Sequence, residues 1–163
     1  MSAAPAASLY DYVLAIHIMA IVVAFGVVFA YPIMFVVAGR EDPRGVPLLH
    51  RIEYTTERWL VNPGLLVVLL AGVYLASKGH HWSEFFVQWG LAAVVVIGAV
   101  LGAVMIPTAK RAEALAARDL AVASGEAVEL SEEYRAAVRR LTIAGSLLTL
   151  LVLVTILFMA IKP

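Results

Sequence analysis

The chain contains no cysteine. That absence excludes disulfides, thiolate metal centres, iron–sulfur clusters and covalent c-type haem attachment. Charge is also scarce. Only 15% of residues are Asp, Glu, Lys or Arg, against about 25% in an ordinary soluble domain. The twelve basic and twelve acidic residues cancel, so no surplus of one sign points to nucleic acid. The short alternating segments of a membrane barrel are missing. So are a nucleophile triad, a phosphate loop and a paired-carboxylate motif. No basic stretch precedes the first apolar run, and that run is too long for a cleaved signal peptide.

What the chain has in abundance is apolar surface. Hydrophobic residues make up 63% of it and the mean hydropathy is +0.92. A spanning helix needs about 20 predominantly apolar residues. Four stretches qualify, with spans set at about 10–39, 60–77, 84–106 and 141–161. The expected fold is all-α, a transmembrane four-helix bundle in a single domain over 1–163. Ten of the twelve Lys and Arg residues fall between spans 1 and 2 or between spans 3 and 4. By the positive-inside rule both termini are expected outside and both charged connections in the cytoplasm. The second connection, 108–140, is alanine-rich with charges of both signs. It predicts that helices 3 and 4 extend into the cytoplasm as an antiparallel hairpin.

The punctuation fits this layout. Residues 1–8 are small and expected to be frayed. Gly39 is expected to stop helix 1 and Pro32 to kink it. Pro47 suits a first helical turn, Asn62-Pro63-Gly64 a kink or break, and Gly79 a helix end. Ser83 and Ser131 are expected N-caps of helices 3 and 4, and Ser124-Gly125 closes the hairpin's first arm. Gly98 and Gly102 stand at small-xxx-small spacing, which predicts close helix contact and a route to a homo-oligomer. Thr142, Ser146 and Thr149 share one face of helix 4 and are expected to pack.

The residues with chemistry to offer are few. His17 lies inside the first apolar run, where an ionisable group is costly and needs a reason. A neutral imidazole can ligate a metal, and haem b in a helical bundle needs little more than one or two such ligands and an apolar slot. The plain alternative is a histidine hydrogen-bonded to a neighbouring helix. His80 and His81 fall on the same side as His17, and the three together suggest a copper or zinc site. Arg51, Thr55, Arg58 and Asn62 share a face of helix 2 at spacings of 4, 3 and 4. Turned inward, Arg51 and Arg58 would suit haem propionates. Turned outward they are head-group anchors, and Glu53 and Glu57 are placed to pair with them locally. His50 is set near the opposite membrane face from His17, about 30 Å away.

The runs LAIHIMAIVVAFGVVF, NPGLLVVLLAGVYLA and GLAAVVVIGAVLGAVMIPTAKR resemble a family of small bacterial integral membrane proteins of unknown function. That family is distantly similar to the copper-resistance D membrane domain and to the HemJ-type membrane protoporphyrinogen oxidase. The resemblance rests on His17, on Pro63 and Gly64 at the start of span 2, on Gly72, and on Pro107 after span 3. It implies a four-helix bundle in a bacterial cytoplasmic membrane with haem or porphyrin at the first-helix histidine. It does not carry the oxidase reaction, because the enzyme's further polar pattern has no counterpart here. Three functions are therefore expected in competition: a haem b protein with a redox or sensing role, a metal-handling accessory, and a non-catalytic assembly subunit whose hairpin docks a membrane protein partner.

Overall fold

The computed structural model describes residues 7–123 and 129–162. Four long helices form it: α1 (Leu9–Glu41), α2 (Pro43–Gly79), α3 (Phe85–Val122) and α4 (Glu132–Ile161). Each is long and apolar enough to cross a bilayer. No strand occurs among the described residues. Ser8 caps α1 in a reciprocal capping box with Asp11, and Ser131 caps α4 through the Tyr134 amide. Helix α3 departs from expectation, since Glu84 and not Ser83 precedes its first turn and gives no side-chain cap. Helix α1 runs past Gly39 to Glu41. Helix α2 ends at Gly79, with His80 taking the left-handed conformation at φ 57°. The expected behaviour of residues 1–6 and the Ser124-Gly125 turn lie outside the described residues.

The prolines locally change the hydrogen-bond pattern without ending the long helices. A 3₁₀ turn, Val27–Phe29, precedes Pro32. A π turn, Glu57–Val61, ends two residues before Pro63, and a second, Leu101–Met105, ends two residues before Pro107. A proline ring cannot donate to the carbonyl four residues back and crowds it. In both π turns the residue before the proline donates five residues back, Asn62 to Glu57 and Ile106 to Leu101, and the helix passes through.

The widened turns also set which side chains face inward. Buried positions on α2 run Glu53, Glu57, Val61, Leu65, three steps of four. In a helix of 3.6 residues per turn each such step drifts by about 40°. The π turn takes up that drift and keeps the stripe on the core. Helix α3 does the same at Ala93, Ile97, Leu101, Met105 and Ala109. The first half of α1 packs on the Asn62–Gly79 part of α2, and both halves of α3 pack on α4. At the far end from the termini, Val46–Thr56 of α2 packs on Ile106–Val122 of α3, with Tyr31–Glu41 of α1 alongside. This hairpin end holds the polar part of the core.

Helices α1 and α2 approach closely at Gly64. A Cβ there would lie 2.6 Å from the Cβ of Ala24 and 3.5 Å from its Cα. The expected small-residue contact at Gly98 and Gly102 is not of this kind. A Cβ on Gly98 would meet only the Leu65 side chain, and Gly102 faces open space. Of the hydroxyl face of α4, only Thr149 is partly buried, beside Leu148 and Val152. Thr142 and Ser146 are exposed, and the Thr142 hydroxyl donates to its own helix at Val138. It is Thr155 that ties two helices, accepting from the Trp89 indole at 3.0 Å.

Candidate functional site: a buried carboxyl–imidazole–phenol cluster

Four charged or imidazole side chains are buried among the described residues, and three of them, His50, Glu53 and Glu57, follow one another along α2. They continue, toward the hairpin end, the stripe that buries Val61, Leu65 and Val68. His50 is 1% exposed, Glu57 2% and Glu53 4%. Tyr134 of α4 and Tyr31 of α1 are buried with them, and the Phe35 ring lies 4.6 Å, centroid to centroid, from His50. Helices α1, α2 and α4 thus each contribute an aromatic or ionisable side chain.

The hydrogen bonding is ordered at one end and open at the other. His50 Nδ1 and Glu53 Oε2 are 3.0 Å apart, and His50 Nε2 and the Tyr134 hydroxyl 3.2 Å. With Glu53 ionised, Nδ1–H donates to it and Nε2 accepts from Tyr134, which fixes the tautomer by its partners. Glu57 sits one turn further on. Its Oε2 is buried and has no hydrogen-bond partner among the described residues. An isolated buried carboxylate costs so much that the group ordinarily takes up a proton instead. Even neutral, a buried polar group without a partner costs about 1–3 kcal/mol, and such exceptions ask for an explanation.

The residues expected to carry chemistry are placed elsewhere. His17 is half-buried on the α1 face that meets α2. Its Cε1 would be 3.3 Å from a Cβ on Gly72, the Val68 carbonyl lies beside the ring, and its Nδ1 is buried and unpartnered. His80 is exposed, while His81 folds back over Gly79 with its ring 6.0 Å from that of Phe86. Among the described residues no three His, Asp or Glu side chains gather as a metal site, so the structure does not assemble His17, His80 and His81. Arg51 and Arg58 are exposed. Arg58 is fourteen residues from Gly72 along α2, about 21 Å at 1.5 Å per residue, too far for propionates of a haem held at His17. The expected local pairs with Glu53 and Glu57 do not form either, because both glutamates point into the core.

The buried cluster follows from the sequence only once α2 is known to run unbroken through Asn62-Pro63-Gly64. The apolar face of span 2, carried backward from Leu65 and Val61 in steps of four and three, reaches Glu57, Glu53, His50 and Val46. Choosing the phase by the arginines instead selects the neighbouring, exposed face.

A protein-family model matches residues 11–163, and the family is described as "Predicted integral membrane protein (DUF2269)". No curated protein and no solved structure matches the chain. The comparisons carry no link to copper-resistance D or HemJ-type proteins.

Proposed function

Because the chain belongs to this family of predicted integral membrane proteins, DUF2269, we propose that it works within the bilayer-spanning bundle, as a protein that binds and relays a proton at the hairpin end. The observation that carries this is Glu57: a fully buried carboxyl, one oxygen unpartnered, one turn from a second buried carboxyl that is already engaged by His50. Two adjacent buried carboxyls do not both ionise. Glu53 is engaged by the imidazole, and Glu57, buried without a partner for Oε2, holds a proton. His50 and Tyr134 extend the chain of exchangeable protons toward α4. Back-titration of the purified protein tests this. Wild type releases a proton on alkaline titration that Glu57→Gln does not, whereas superimposable curves would overturn the assignment. The hairpin end is proposed to face the cytoplasm, supported by its basic residues. Since the chain lacks cysteine, single reporters at Ala117→Cys and Ser83→Cys read the orientation by impermeant labelling of intact cells.

The second reading is haem b at His17. The observation favouring it is the buried His17 Nδ1, which has no hydrogen-bond partner although the Val68 carbonyl lies beside the ring. A bound haem would supply redox or ligand-binding chemistry at the α1–α2 seam. A Soret band after haem-replete expression that disappears in His17→Ala supports it, and its absence in wild type removes it.

A further inference from the structure

Exposed apolar side chains do not end level around the bundle. On α1 they continue through Ile33, Val36 and Val37, beside the α2 segment that carries His50. On α2 they continue through Leu48 and Ile52. On the opposite flank the same level is already charged: the Lys110 ammonium lies over the Tyr54 ring at 5.5 Å, and Arg111, Arg139 and Arg140 are exposed. Exposed apolar side chains therefore continue on the α1–α2 flank where the α3–α4 flank is basic.

Two arginines sit in that apolar flank. Arg51 lines a shallow groove on α2 with Leu48, Ile52, Thr55 and Thr56. Arg58 rests on the ring of Trp59, 5.8 Å from its centroid, and Trp59 is 73% exposed. Neither arginine has a carboxylate partner among the described residues. A guanidinium beside hydroxyls, with aliphatic walls, complements a phosphodiester carrying acyl chains. Trp59 is the kind of side chain that settles at such an interface. A peptide partner would have to supply both the anion and the long apolar segment; an anionic phospholipid brings both.

We propose that the α2 groove at Arg51 and Thr55, with Arg58 and Trp59 below it, is a binding site for an anionic phospholipid of the surrounding bilayer. It is separate from the proton-binding cluster, which lies on the other side of the same helix. The test uses a protein with Trp59 as its sole tryptophan (Trp82→Phe, Trp89→Phe) in nanodiscs containing acyl-brominated phosphatidylglycerol or acyl-brominated phosphatidylcholine. Preferential quenching of Trp59 by the anionic phosphatidylglycerol is expected, with a roughly tenfold to thirtyfold preference for two arginines. The preference falls to parity in Arg51→Gln/Arg58→Gln, and inorganic phosphate does not compete. Native mass spectrometry of the otherwise unaltered chain provides a second readout, with co-purified anionic lipid lost in the same double variant. Equal quenching by the two lipids, an unchanged preference in the double variant, or protection of Trp59 from both lipids by a second protein chain would overturn the proposal.

Discussion

His50 and Tyr134 are 84 residues apart in the chain, yet the imidazole Nε2 and the phenol oxygen lie 3.2 Å from each other in the buried hairpin end. That contact joins the first turns of α2 to the first turns of α4. It also orients His50, so that its other nitrogen meets Glu53 at 3.0 Å.

Removing the phenol oxygen should therefore be felt at both ends of the contact. Tyr134→Phe leaves Nε2 buried without its donor and should cost about 1–3 kcal/mol. His50→Ala strips a hydrogen-bond partner from both Glu53 and Tyr134 and should cost about twice as much. Thermal unfolding in detergent gives the order. A His50→Ala protein as stable as Tyr134→Phe would mean that the His50–Glu53 hydrogen bond adds nothing.

Helix packing gives a second contrast. Gly64→Ala forces a methyl against the Ala24 methyl and the backbone behind it, and should cost about 1–3 kcal/mol as an overpacked site. Gly102→Ala meets open space and should be neutral or stabilising by up to about 1 kcal/mol, since alanine loses less backbone freedom. Unfolding midpoints of the two variants decide this. The reverse order would move the tight seam from α1–α2 to the Gly98 and Gly102 face.

The architecture was largely legible in the sequence, and the polar core was not. Four spans follow from apolar length alone, because nothing but a helix satisfies its own backbone in lipid. Ser131 was legible as a cap for the same local reason. The π turns were not, because a proline motif such as Asn62-Pro63-Gly64 announces a disturbance without saying whether the helix breaks or widens. That choice decides which residues face inward. With a break, Glu57 has no fixed phase relative to Leu65; with one widened turn it shares Leu65's face. His17 stood out because it is polar in an apolar run, whereas Glu53 and Glu57 stand among arginines and look solvated until the helix phase is known.

The hairpin should respond to acid through Asp119. Its carboxyl is held below the usual range first by the Ser131 hydroxyl, then by the Ser131 amide, which donates to Oδ2 at 2.8 Å, and after these by the Arg118 guanidinium at 3.1 Å. A carboxyl lowered in the folded state contributes stability that is complete above the ordinary carboxylate range and is lost as pH falls through the lowered folded value. Wild type should thus lose stability on acidification over that window. Asp119→Asn should start lower at neutral pH and show a flatter profile. Parallel profiles for the two would remove Asp119 as the source of acid sensitivity.

The proton itself is accessible to infrared spectroscopy, since a protonated carboxyl absorbs apart from a carboxylate. At neutral pH the spectrum of the wild-type protein should contain a protonated-carboxyl band that is lost in Glu57→Gln, retained in Glu53→Gln and shifted there by the change of neighbour. A wild-type spectrum without that band, or a band indifferent to Glu57→Gln, would contradict the assignment of the buried proton to Glu57.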